Sequence, residues 1–457
     1  MDILERFMDI TKVPRPSGHL GQIQNYLLDF AESRGIEHDI DDHGNILMIR
    51  PGDTGFVALQ GHQDMVASKS PHKTFDFTRQ PIDARIDGGR VTAEGTTLGA
   101  DNGVGIAIML NALDSEELKD VSLECLFTSD EEIGLIGAKG LEDNILSSDY
   151  LINLDMEDER KITVGCAGAS NIIARFPYEN ATTNGQWWRL KVSGLLSGHS
   201  SMAGLGRANA IKLTSEYLKR LDNVRLSSID GGTFNNVIPM ECETTFSTTD
   251  TFQYSKLKLY EEETSARYRD TEPGISFTLE PIDEPGSALS TVMTNRIITS
   301  LNECPYDLFE SGNIGTMASS NLGIIRTDGC VEITSMMRGA TDDLIDRYSR
   351  KIAETFVRNG ANVTVDKLFP PWHEPEGSEL QKISVDVYKE MFDREPILEI
   401  THGGLECGII RNKCPDIQAI AIGPNMGGVH TPDEYLEIES LRRTERYVFE
   451  LVKRLSG

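Results

Sequence analysis

Four short apolar runs, each followed closely by a histidine or a carboxylate, constrain this chain more than any other feature. FVALQ (56–60) leads into Gly61-His62, VSLECLF (121–127) into Asp130-Glu131-Glu132, YLINL (150–154) into Asp155, and DIQAIAIG (416–423) through a Gly-rich loop to His430. Runs this short and this apolar read as strands buried on both faces. Between the first two, NGVGIAIMLNAL (102–113) reads as a helix, with Asp101 just before it in a position that suits an N-cap. In α/β sheets, ligands gather beyond the carboxyl ends of the strands. Several strands that each deliver a histidine or an acid at that end therefore point to one shared site.

The rest of the pattern sets the architecture. Ile3, Leu4, Phe7 and Ile10 have helical spacing before Pro14, and Leu20, Ile23, Leu27 and Phe30 mark a second helix stopped at Gly35. Strand-like runs alternating with helices predict a mixed sheet flanked by helices. The middle of the chain differs. It offers a strand at WWRLKVSG (187–194), a helix at 208–221, β-like segments near 233–249 and 274–281, and a helix near 290–301. Two strands in GIIRTDGCVEITSMM (323–337) and a helix at 342–358 follow. These read as a separate α+β unit. The α/β pattern then resumes with a helix near 378–392, the strands ILEI (397–400) and DIQAIAIG, and a last helix at 438–455. The expected organisation is a first domain in two segments, 1–167 and 369–457, interrupted by an inserted domain at 168–368.

Composition narrows the partners. With 72 acidic and 44 basic residues the formal charge is -28, which repels phosphate backbones and anionic lipid. Nucleic acid and membrane surfaces are not expected partners. MDILERFMDI carries acids among its apolar residues, unlike a signal peptide, so the cytoplasm is the expected location. The seven cysteines are widely spaced without a C-x-x-C, which speaks against a disulfide framework or a thiolate zinc site.

The residue types fit two divalent cations. A pair of such ions needs a bridging carboxylate and further nitrogen and oxygen ligands. Asp101 is the natural bridge; His62 and Asp155 would complete one ion, Glu132 and His430 the other. Asp64, two residues after His62, suits the acceptor for the ring N–H that faces away from metal. Glu131 and Glu132 are adjacent, so their side chains diverge; one can ligate while the other acts as general base. Taken singly, each has a plainer reading. His62 would be a turn residue, Glu131-Glu132 a solvated acidic stretch, and Asp155 a loop acid. Their joint placement after apolar runs outweighs those readings.

These residues resemble the M20 metallopeptidase family, and within it the carnosine-cleaving aminoacyl-histidine dipeptidases. The stretches that carry the likeness are GHQDMV (61–66), LGADNGVGIA (98–107), FTSDEEIGLIGA (127–138), LINLDMEDE (151–159), GGTFNNVIPMEC (231–242), HGGLECGII (402–410) and GPNMGGVHTPDE (423–434). The resemblance implies a catalytic α/β domain with an inserted α+β lid, and a dipeptidase acting on small peptides of the Xaa-His kind. A tripeptidase or an N-acyl amino acid amidohydrolase would share the site, and a scaffold that had lost catalysis would keep the metals alone. His62, Asp101, Glu132, Asp155 and His430 match metal ligands, Glu131 the catalytic base, and Asp64 the acid supporting His62. Two divalent cations per subunit are implied, zinc first, with manganese or cobalt also compatible. His199 matches a lid histidine that polarises the scissile carbonyl, across the interface in dimeric members, so a homodimer through the lid is expected. Asn236 and Arg338 match substrate-binding lid positions, Arg338 facing the peptide carboxylate. Gly404, with Gly403, precedes a helix and could present N–H groups to an anion, although a tight turn explains the pair equally well. The stretch Ser200-Ser201-Met202-Ala203 and the surroundings of Arg338 depart from the family pattern, which bears on substrate preference.

Overall fold

The computed structural model describes every residue except 179, 182–184, 197, 199, 201–203, 205, 252 and 314, and of residue 180 the backbone only. Contacts divide the chain into two compact units. The first comprises Met1–Cys166, Trp372–Thr401 and Leu405–Gly457; the second comprises Ala167–Pro371 and His402–Gly404.

In the first unit, β1 (Glu37–Ile40), β2 (Ile46–Arg50), β3 (Phe56–His62), β4 (Ser122–Thr128), β5 (Tyr150–Asn153) and β6 (Lys161–Cys166) share one mixed sheet with Trp372–His373, Ile397–Thr401 and Gln418–Ala421. The order is β1-β2-β4-β3-β5, then Gln418–Ala421, β6 and Trp372–His373, while Ile397–Thr401 pairs with β6. Strands β4, β3, β5 and Gln418–Ala421 run parallel, with His62 opposite Thr128, Gln60 opposite Asn153, and Asn153 opposite Ala421. Their carboxyl ends therefore lie on one edge. Val57, Leu59, Leu123, Cys125, Phe127 and Ile152 point into a core shared with α1 (Ile3–Ile10), α2 (Gly21–Arg34), α3 (Ala100–Leu113) and the last helix, Ile438–Ser456. The period-two alternation puts Gln60, Thr128 and Asn153 on the opposite face, where Glu406–Lys413 packs. Both faces are thus covered, and β3 is buried from Val57 onward, as a central parallel strand requires.

The second unit is built on a nine-stranded sheet whose pairings are all antiparallel. Its buried face, including Ile172, Leu190, Phe246 and Ile333, packs against Ala210–Leu218, Gln253–Arg267, Thr291–Glu303 and Asp342–Arg358. Exposed ion pairs such as Arg175–Glu332 (2.7 Å) and Lys191–Glu241 (2.8 Å) lie among the outward residues. Two expectations need correction. The β-like reading of 233–249 holds only for Cys242–Thr248, because residues 232–241 form an irregular loop with a turn at 235–236, closed by the Val237 N–H to the Phe234 carbonyl (3.3 Å). Helix Gln253–Arg267 was not anticipated, since only Gln253, Leu257, Tyr260 and Thr264 of this polar stretch are buried. Among the described residues no helix is long and apolar enough to cross a membrane.

Candidate metal centre

Five candidate ligands meet beyond the shared carboxyl edge of the first unit. His62 is the last residue of β3, Glu131 and Glu132 follow β4, Asp155 follows β5, and His430 lies in the loop beyond Gln418–Ala421. Asp101 stands at the entry of α3, where Asp101 and Asn102 are not yet helical and their shared peptide is cis. Asp101 is not the N-cap that its place in the sequence suggests. Its carboxylate caps nothing; Oδ1 lies 2.9 Å from His62 Nε2 and Oδ2 lies 3.1 Å from His430 Nε2. One carboxylate thus faces two imidazoles with different oxygens, the disposition a bridging ligand needs. His62 Nε2 is also 3.4 Å from Asp155 Oδ1, and His430 Nε2 is 3.0 Å from Glu132 Oε1.

Among the described residues, ligand atoms converge within 4.8 Å in three overlapping groups: His62, Asp101 and Asp155; Asp101, Glu132 and His430; and His62, Glu131 and Glu132. The electrostatics ask for cations. Burial and neighbouring acids push Glu131 well above the usual carboxylate range, and raise Glu132 and Asp155. Burial opposes a charge on His62, but Asp155, Asp101 and Asp64 outweigh it and carry the ring well above its ordinary value. Bonds to Asp101 and Glu132 push His430 up to about 11. Imidazole nitrogens and carboxylate oxygens in this number suit Zn²⁺, Mn²⁺ or Co²⁺, so donor chemistry and charge both fit a two-cation site.

A layer of side chains fixes the ligands. Asp64 Oδ1 sits 3.2 Å from His62 Nδ1 and accepts the Glu131 N–H (3.0 Å), while Oδ2 accepts from Ser17 (2.7 Å) and the Glu132 N–H (3.2 Å). Asp64 therefore orients the imidazole and ties it to the loop bearing both glutamates. Three further residues were not picked out from sequence. Buried Arg15 donates to the carbonyls of Gln63 (3.0 Å), Asp64 (2.6 Å) and Gly99, so one guanidinium joins the loops of His62 and Asp101. Glu434 accepts the N–H groups of Leu98 (2.7 Å), Gly99 (3.0 Å), Ala100 (2.7 Å) and Asp101 (3.3 Å). Asn102 Nδ2 donates to Asp155 Oδ1 (2.7 Å). The motif glycines make room for these groups. A Cβ on Gly105 would come within 1.9 Å of Asn102 Oδ1, and one on Gly99 (φ +75°) within 2.8 Å of Arg15. Glu434 ends the stretch GPNMGGVHTPDE and Arg15 lies between two prolines, but nothing in either local pattern reveals the bonds they make.

The remaining expected site residues lie in the second unit. His199 falls outside the described residues. Asn236 occupies the turn at 235–236, and its carbonyl accepts the Ser200 N–H (2.8 Å). Arg338 is buried, not a surface residue, and its Nε donates to Ser200 Oγ (3.1 Å). Gly404 packs so closely on Phe369 that a Cβ would approach the ring to 2.5 Å.

Two imidazoles, an aspartate between them and further carboxylates beyond a parallel edge give the donor set that a two-cation hydrolase centre needs. Residues 58–454 match the peptidase family M20/M25/M40, and the chain belongs to that family. It is 32% identical over 469 aligned residues to the cytosol non-specific dipeptidase of Escherichia coli (strain K12), covering 98% of this chain and 96% of that one. Its fold matches the crystal structure of aminoacylhistidine dipeptidase from Vibrio alginolyticus, with a TM-score of 0.83 and 30% identity over 99% of this chain and 96% of that one. It also shares its fold with a dinuclear metal-binding M20 peptidase of Bacillus subtilis, at a TM-score of 0.50 and 13% identity over 99% and 97% of the two chains.

Proposed function

We propose that this chain is a two-metal dipeptidase whose substrates include Xaa-His dipeptides such as β-Ala-His. The observation that carries the reading is Asp101 set between His62 and His430, with Glu131 beside them and its backbone N–H donated to Asp64. The names of the E. coli and Vibrio relatives supply the substrate class.

His62 and Asp155 would hold one cation, Glu132 and His430 the other, and Asp101 both. When bound, such cations supply Lewis acidity for the scissile carbonyl and lower the pKa of the attacking water. Glu131 takes a proton from that water as its oxygen bonds to the carbonyl carbon. Burial raises this carboxyl above the ordinary carboxylate range, and a carboxylate within reach of the water can both accept and return a proton. The same carboxyl then gives the proton to the amine as the C–N bond breaks. Asp64 keeps the His62 ring in register throughout. His199 as carbonyl polariser, Asn236, Arg338 and Gly404 as substrate contacts, zinc as the native cation, a homodimer through the second unit and a cytosolic location complete the proposal, on the strength of the resemblance.

Metal-reconstituted enzyme assayed on β-Ala-His, Gly-His, Leu-Leu, a tripeptide and an N-acetyl amino acid tests it. Turnover of the dipeptides well above the other two supports the proposal. Preference for the tripeptide or the acylated amino acid overturns the substrate class, and bound metal with no hydrolysis of any of them overturns catalysis.

A further inference from the structure

Beneath the ligand-bearing edge lies a buried carboxyl that the reaction does not use. Glu406 Oε2 accepts from Gln60 Nε2 (2.6 Å) on β3 and from Thr128 Oγ1 (2.6 Å) on β4, while Oε1 is buried and has no hydrogen-bond partner among the described residues. Gln60 Nε2 also donates to Thr128 Oγ1 (3.1 Å), so both its N–H bonds are committed toward Glu406 and Thr128. The amide oxygen of Gln60 must then face Asn153 on β5, whose Nδ2 donates to it (2.7 Å). That leaves Asn153 Oδ1 to accept the Asp155 N–H (3.1 Å).

The chain of bonds has a direction, and Glu406 sets it. A donor at position 406 would invert Gln60, then Asn153, and would leave the Asn153 amide facing the Asp155 N–H, donor against donor. A buried chain of this kind stands or falls as a unit, because each reversed amide leaves unsatisfied groups on both sides. All three strands concerned carry candidate ligands just past these residues: His62, Glu132 and Asp155.

We infer that Glu406 is a positioning residue of the metal centre, fixing the main chain at Asp155 through the directed Gln60–Asn153 chain. The inference rests on the two-metal reading above. It requires an accepting oxygen at Oε2, not a charge, so glutamine at 406 serves if its carbonyl takes that place, whereas leucine does not.

The test is Zn²⁺ binding by chelator competition in the full chain, with the metal-free unfolding midpoint measured alongside. The wild-type chain binds two ions. Glu406→Leu weakens one of the two sites by about 10- to 100-fold, and Glu406→Gln restores the wild-type isotherm even where its unfolding midpoint is lower. Asn153→Ala breaks the same chain one link further on and gives the same single-site loss, which covers the case of a Leu variant that does not fold. Two unaltered sites in Glu406→Leu or in Asn153→Ala overturn the inference alone. So does a Gln variant as weak as the Leu variant, since charge would then be the cause. A wild-type chain that takes up no second ion overturns the two-metal reading and the inference with it.

Discussion

Replacing Arg15 by methionine should cost the first unit about 4 kcal/mol of stability. The side chain is 1% exposed, and it donates to the carbonyls of Gln63, Asp64 and Gly99. The Gly99 carbonyl keeps a second donor, the Gly103 N–H at 3.2 Å, so the loss falls on the other two. A buried acceptor left without its donor costs roughly 1–3 kcal/mol, which gives about 2–6 kcal/mol for the pair. Burial lowers the pKa of Arg15 while Asp64, Glu434, Asp101 and Glu132 counter it. Removing the guanidinium therefore also leaves those acids with less compensation, although it relieves the desolvation of the cation itself. A loss near the middle of the range follows, a large share of the ~5–15 kcal/mol typical of a folded domain. Urea unfolding of the chelated protein, followed by hydrogen exchange in peptides spanning 56–66 and 96–110, isolates the effect from metal affinity. Arg15→Lys, with one nitrogen for two loops, should fall between wild type and Arg15→Met. A change below about 0.5 kcal/mol, the level of a surface substitution, would refute the claim that Arg15 holds these loops together.

Two further outcomes follow from the same layer. Asp64→Ala removes the acceptor of His62, Ser17 and two backbone N–H groups, so Zn²⁺ affinity should drop about 10- to 100-fold; an unchanged competition curve contradicts the orienting role. Burial pushes the Glu406 carboxyl from its ordinary 4.5 up to about 7. A raised acid stabilises the fold below pH ~4.5 and loses that contribution as pH rises through about 7, so chelated wild type should lose roughly 3 kcal/mol across this window relative to Glu406→Gln. Parallel stability–pH curves for the two proteins would exclude this.

The parts of the site legible in sequence are those whose chemistry and chain position coincide. His62, Glu132 and Asp155 each follow an apolar run, and parallel pairing of those runs brings them to one edge whatever the loops do. Asp101 was legible as a residue at a helix start but not as a side chain turned away from that helix, because its orientation depends on Glu434, more than three hundred positions away, holding the N–H groups around it. Arg15 and Glu406 act through main-chain carbonyls and buried amides, contacts that no local pattern announces. In the second unit the sequence reads as β at Gln186–Ser193, Cys242–Thr248, Ser276–Ile282 and the pair Gly315–Thr327 and Cys330–Gly339, but not at Gly168–Pro177 or Asn362–Phe369. Helix Gln253–Arg267 was not legible, because Leu257 and Tyr260 alone carry its apolar stripe.

In the proposed reaction Glu131 acts as base while Glu132, one residue on, holds metal. Glu131→Gln, measured for zinc content and for β-Ala-His hydrolysis in the same preparation, tests this most directly. Two zinc ions per chain with turnover reduced by at least ~10²-fold, the lower range of a general base's contribution, is the predicted result. Full metal content with hydrolysis near the wild-type rate would contradict the assignment.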